Sequence, residues 1–102
     1  KLVTPIKSDF TTHVFHQYTL KLVGVDRNGL QEYLKEKGIP AMIYYPVPLH
    51  LQKAYQDPRY KKGDFPVAEK LMDCVLSLPM HTELDEEQLA YITSSVLEFV
   101  NK

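Results

Sequence analysis

The sequence predicts a small α/β domain: a three-stranded sheet packed by about three helices in two layers. Three observations predict it. Apolar residues recur every second position from His13 to Val23, the period of a strand with one buried face. They recur every three to four positions over Arg27–Lys37, Pro66–Cys74 and Glu86–Val100, the period of helices with one buried stripe. Short apolar runs at Ala41–Tyr45 and Leu76–Leu78 lie between the helical stretches, and bounded runs of that length read as buried strands. A chain of 102 residues suits one domain.

Each element has local reasons. Residues 1–12 show no period, and Thr4-Pro5 with Ser8-Asp9 reads as a linker entering the domain, which occupies residues 13–102. Val14, His16, Tyr18, Leu20 and Leu22 share one face of the first strand, and Gly24-Val25-Asp26 ends it. The first helix takes Asp26 or Asn28 as its cap, since either side chain can accept from an early helical N–H. Leu30, Tyr33 and Leu34 form its stripe, Lys35 and Lys37 suit its negative end, and Gly38 supplies a left-handed residue to close it. The run from Ile39 to Tyr45 reads as a strand buried on both faces. Leu51–Tyr55 makes one or two helical turns, and Gln56-Asp57-Pro58 breaks them. Pro66 is pre-organised for the first turn of the second helix, whose stripe is Val67, Leu71, Cys74 and Val75. Pro79 stops the last strand. The last helix opens with Asp85 and Gln88 at capping-box spacing and with Glu86 and Glu87 at its positive end.

Composition excludes several classes. A net charge of −1 leaves no basic excess for a nucleic-acid partner; Lys61-Lys62 reads as a solvated loop. One cysteine, Cys74, forbids an intrachain disulfide and fits a reducing, cytoplasmic setting. No apolar run approaches the roughly 20 residues of a membrane span. The chain opens on Lys1 and not on Met, which reads as a piece of a longer protein.

Chemistry concentrates at Tyr44-Tyr45-Pro46-Val47-Pro48-Leu49-His50. Two prolines one residue apart stiffen the segment and bias Tyr45 and Val47 toward extended backbone. Stiff loops with polar ends on a rigid scaffold are common sites. The same residues also suit a proline-fixed turn whose tyrosines pack over the core. His13 and His16, three apart, point to opposite strand faces and do not make one metal site, and no carboxylate or cysteine cluster completes one with His50 or His81. There is no G-x-S-x-G, P-loop or G-x-G-x-x-G, and no lysine isolated in an apolar context that would suggest a Schiff base. The residues alone yield no reaction and no catalytic group.

Three blocks carry a resemblance. Gly38-Ile39-Pro40 leads through Tyr44–Gln52 to Tyr55; Gly63-Asp64-Phe65-Pro66-Val67-Ala68-Glu69 follows; then comes Leu76-Ser77-Leu78-Pro79-Met80-His81. Together with His13–Tyr18 they resemble the C-terminal domain of the DegT/DnrJ/StrS sugar aminotransferases, over about residues 10–102. The resemblance implies the small domain of the aspartate-aminotransferase fold. It implies a parent that uses pyridoxal 5′-phosphate to move an amino group onto a nucleotide-linked keto sugar, as a homodimer. The Schiff-base lysine and most phosphate contacts would lie in a large N-terminal domain outside this chain, which alone would be inert. Tyr44, Tyr45 and His50 would face the substrate, with no cofactor or metal ligand in these residues. The alternative function is a free-standing small-molecule-binding or regulatory module of the same topology.

Overall fold

The computed structural model describes all of residues 1–102. Three strands form one antiparallel sheet in the order β1 (Leu2–Val3), β2 (Tyr18–Leu22), β3 (Val75–Leu78). Helices α1 (Arg27–Glu36) and α3 (Glu86–Val100) cover one face, and α2 (Pro66–Cys74) leads directly into β3. The core is the layer between sheet and helices. Leu20, Leu22 and Leu76 from the sheet meet Leu30 and Leu34 of α1 and Ile92, Val96 and Val100 of α3, all buried. Burial of this apolar set is the main favourable term holding the layers together.

The helix ends follow the expected chemistry. At α3, the Asp85 carboxylate accepts from Gln88 N at 2.8 Å, and the Gln88 side chain accepts from Asp85 N at 3.1 Å. This is the reciprocal capping box. At the end of α1, Gly38 adopts φ +76°, Ile39 N donates to Leu34 O at 2.8 Å, and Gly38 N donates to Lys35 O at 3.0 Å. That pair of bonds is a Schellman closure, with Ile39 and Leu34 meeting in the core. Asp26 occupies the cap position of α1, but its side chain makes no cap hydrogen bond.

The strands depart from expectation in three places. The first strand covers Tyr18–Leu22, not His13–Val23. Its partner explains this: Tyr18 opposes Leu78, the last residue of β3, and the next bonded pair, His16 with Met80, lies beyond the end of that strand. Val14 is accordingly exposed. The run Ala41–Tyr45 forms no strand; only Met42 pairs, exchanging hydrogen bonds of 3.0 and 2.7 Å with Ser77. The next bonded pair on one side would join Pro40 to Pro79, neither a donor. On the other side the Val75 N–H is already given to Leu71 O at the end of α2. Nor is the run buried on both faces, for Met42 and Tyr45 are exposed. The third strand of the sheet comes instead from Leu2 and Val3, opposite Leu22 and Lys21. Two residues are too few to show a period, so the sequence carried no sign of them.

The sheet face away from α1 and α3 presents Thr19 and Val75 toward α2 and toward the segment after Met42. Arg27 fixes where α2 ends, donating from Nη1 to Met72 O at 2.8 Å and Val75 O at 3.3 Å.

Candidate substrate cleft

The segment from Tyr44 to Gln52 leaves the sheet edge and folds back over the far face. Pro46 and Pro48 keep it extended, and a single 3-10 turn, Leu49–Leu51, reverses it, with Leu51 N donating to Pro48 O at 2.9 Å. Gln52 braces the bend from inside, donating from Nε2 to Val47 O at 3.0 Å. Between this loop, α2 and the sheet lies a cleft of about 570 Å³. Tyr44, Tyr45, Val47 and Leu49 line one side, Ala68, Leu71 and Met72 of α2 the other, and Thr19 and Val75 the floor.

The cleft is mostly apolar with a few polar groups, the usual composition of a small-molecule site. The rings of Tyr44 and Tyr45 meet edge to face with centroids 6.0 Å apart, and both residues are exposed. Neither phenol has a hydrogen-bond partner within the chain, so both remain available to donate. On the floor, Thr19 Oγ1 lies 2.7 Å from Ser77 Oγ. This bond satisfies the buried Ser77 hydroxyl and leaves Thr19, at the cleft, with spare hydrogen-bonding capacity.

His50 is placed differently. It lines none of this cleft. Its side chain turns back between Phe65, with ring centroids 4.8 Å apart, and Glu69, with Nε2 3.5 Å from Oε2. The two side chains are only 8 % and 13 % exposed. Glu69 in turn accepts from Gly63 N at 2.9 Å on each oxygen, tying down the turn that precedes α2. The structure therefore brings Tyr44 and Tyr45 together and sends His50 to the back of the cleft wall.

Residues 1–97 match the DegT/DnrJ/EryC1/StrS aminotransferase family. The chain belongs to this family. A Geobacillus stearothermophilus protein named pleiotropic regulatory protein is 49 % identical over 96 % of the chain and 26 % of its own length. An Acidithiobacillus ferrooxidans UDP-N-acetyl-3-dehydro-alpha-D-glucosamine 3-aminotransferase is 44 % identical over 82 % of the chain and 22 % of its own length. Among solved structures, a DegT/DnrJ/EryC1/StrS aminotransferase from Brucella abortus superposes with a TM-score of 0.88 at 36 % identity, over 99 % of this chain and 26 % of that one. S. venezuelae DesV superposes with a TM-score of 0.89 at 31 % identity, over 99 % and 27 %. The chain spans about a quarter of the length of the relatives it matches.

Within this aminotransferase-family chain, sequence reasoning passed over several cleft residues. Thr19 was legible as facing away from the core, opposite in phase to Leu20; what covers that face was not. His16 and His81 line a second cavity of about 310 Å³ with Gln17 and Ser77, and Tyr44 forms a wall common to both cavities. The Nδ1 of His81 accepts from Glu83 N at 3.2 Å, which in the neutral ring leaves Nε2 as the donor. No group of three or more His, Cys, Asp or Glu side chains gathers as a metal site. No helix is long and apolar enough to cross a membrane.

Proposed function

We propose that this chain is the C-terminal small domain of a pyridoxal-phosphate-dependent aminotransferase acting on a nucleotide-linked keto sugar in the cytoplasm. Tyr44 and Tyr45 contribute hydrogen-bond donors to the sugar or its phosphates. The observation that carries the reading is the open cleft, with its paired phenols, in a chain that belongs to an aminotransferase family and spans a quarter of its relatives. The relative from A. ferrooxidans and one from Aneurinibacillus thermoaerophilus, a dTDP-3-amino-3,6-dideoxy-alpha-D-galactopyranose transaminase, are named for reactions on nucleotide-linked amino sugars.

The residues present do not fit the cofactor by themselves. Pyridoxal phosphate supplies an electron sink and needs a lysine for its Schiff base in a dry pocket. No lysine lines the cleft. Every lysine is exposed except Lys37, and its Nζ is held by Glu98 Oε2 at 2.6 Å on the opposite side of the molecule's core layer. In this reading the lysine and phosphate cradle belong to a larger N-terminal domain. Tyr44, Tyr45, Val47 and Leu49 all line the cleft yet stay exposed. Leaving so much apolar surface on one feature in water favours a covering partner. That domain, in a homodimeric parent, is the proposed cover, and residues 1–12, whose Leu2 and Val3 already belong to the sheet, are the proposed connection to it.

The name of the G. stearothermophilus relative favours a regulatory reading. That protein too is about four times the length of the matched segment, so it lends no support to a free-standing module.

The test is kinetic. In the full-length protein, Tyr45→Phe is expected to lower kcat/KM for the sugar substrate roughly ten- to hundred-fold, the loss of one hydrogen bond to a charged group at about 1.5–3 kcal/mol. The cofactor absorbance should be unchanged. The 102-residue chain alone is expected to show no transamination, and borohydride reduction with added pyridoxal phosphate should label its lysines without preference. A stoichiometric adduct at one protected lysine of the isolated chain would overturn the assignment.

A further inference from the structure

We infer that His50 and Glu69 form a latch that sets the width of the Tyr44–Tyr45 cleft, with His50 a positioning residue that acts without touching what the cleft binds. The inference goes beyond the proposed reaction, because it concerns how the cleft is held and stands whatever occupies it.

The connectivity makes the argument. Leu49, next to His50, and Ala68, next to Glu69, lie on opposite walls of the cleft. The distance between the two functional groups behind those walls is therefore coupled to the distance between the walls. The gap is 3.5 Å from His50 Nε2 to Glu69 Oε2, and Nε2 is buried without a hydrogen-bond partner. Hydrogen bonds between nitrogen and oxygen settle near 2.9 Å, shorter still when both groups are charged. A buried nitrogen just outside that range, facing a carboxylate, is an unmade contact that a movement of roughly half an ångström would complete. Completing it draws Leu49 toward Ala68 and narrows the cleft.

Glu69 is well placed to be the fixed half. Both its oxygens are anchored by the Gly63 N–H, and it sits in the first turn of α2, behind the Pro66 start. His50 is the movable half, on a loop held mainly by its own turn and by Gln52. Phe65 lies edge-on against the imidazole, with centroids 4.8 Å apart.

Protonation gives the latch a handle. A charged imidazole donates from both nitrogens and attracts the carboxylate. Glu69 is the only carboxylate within 4 Å of His50. The other titratable groups around it are Tyr55 and Tyr60, Asp57, and Lys61 and Lys62. Asp57 is already claimed by Arg59, which donates to Oδ2 at 2.8 Å.

The experiment is methyl NMR on the intact protein that carries this chain, from about pH 8 to about pH 5.5, across the ordinary imidazole range. Val47 and Met72 are the reporters, because they line the cleft from its two sides and neither lines the depressions around His50. The expected result is that both methyl signals shift with the same midpoint as the His50 Hε1 signal. The nuclear Overhauser contacts between loop and α2 methyls should strengthen at the acid end. Both responses should vanish in His50→Gln, which keeps a neutral donor of similar size and needs no carboxylate charge to fold. They should vanish also in Glu69→Gln. If Val47 and Met72 stay fixed while His50 titrates, or if their shifts persist in His50→Gln, the latch does not exist. None of these readouts uses transamination, so failure of the proposed reaction would leave them standing and their failure would leave the reaction standing.

Discussion

Replacing Gly38 with alanine isolates the backbone term at the turn that delivers the cleft loop. Gly38 closes α1 at φ +76° and sends the chain into Ile39–Tyr45. A Cβ built there meets nothing within 4 Å, so the substitution carries no steric term from neighbours. What remains is the left-handed backbone, which costs an L side chain roughly 1–2 kcal/mol. The restriction alanine places on the unfolded chain returns roughly 0.4–1 kcal/mol at best. The net expectation is a loss of about 1 kcal/mol, or roughly 4–8 °C in Tm for a domain of this size. Gly38→Asn should lose less than half as much, since asparagine tolerates this region better than most residues. Gly29→Ala is the control. Gly29 lies inside α1, where alanine gains roughly 0.8–1 kcal/mol of helix propensity. Its Cβ would come 2.5 Å from Asp26 Oδ2 and 3.3 Å from Phe99 Cζ. The Asp26 carboxylate makes no cap bond and can swing aside, while the Phe99 ring must give slightly, so the two effects should nearly cancel. Urea unfolding with a common m-value measures all three. A Gly38→Ala protein as stable as the parent, or an asparagine variant no better than the alanine one, would refute the account of this turn.

Three further outcomes follow from the packing. Leu76→Ala empties a site with no solvent exposure at the centre of the core and should lose roughly 2–5 kcal/mol, read as a large drop in the urea midpoint. Asp85→Ala removes the carboxylate half of the capping box of α3 and leaves the backbone N–H of residue 85 to the Gln88 side chain; it should lose about 1 kcal/mol, with the helical signal fraying first at Glu86–Leu89 by hydrogen exchange. The hydrogen bond from Lys37 holds the Glu98 carboxyl below its ordinary value, and the bond to Glu98 pushes the Lys37 amine up. The Glu98 contribution is present above the unfolded carboxylate value near pH 4.3 and fades as pH falls through the lower folded value. The Lys37 contribution is complete below the unfolded value near pH 10.4 and is lost as pH rises beyond it. Because Glu98 is exposed and Lys37 only partly covered, Glu98→Gln should flatten the acid limb of a stability-against-pH curve only slightly, and less at high salt.

The helices were legible because their causes are local. Pro66 at the first turn of α2, Asp85 with Gln88 at α3 and Gly38 after α1 each act within a few residues, and the structure places the three helices where those residues put them. The strands were less legible because a strand ends where its partner ends. Tyr18 starts β2 because its partner Leu78, far along the chain, is the last residue of β3. Met42 pairs alone because Pro40 and Pro79 coincide on one side of it and α2 claims the Val75 N–H on the other.

The same division runs through the cleft. Tyr44 and Tyr45 are adjacent in sequence and fixed by the prolines that follow, so their shared position at one cavity follows from the loop alone. His50 belongs to that loop in sequence but not in space. Its direction is chosen by Phe65 and Glu69, which arrive only when α2 docks against the sheet. An imidazole at the end of a stiff loop has two outlets, the open cleft or a carboxylate behind the wall. Burial against Phe65, with Glu69 within reach of a charge-assisted bond, favours the second. Of the three residues the resemblance set equally toward the substrate, His50 is thus placed behind the wall, while the phenols of Tyr44 and Tyr45 stay exposed in the cleft.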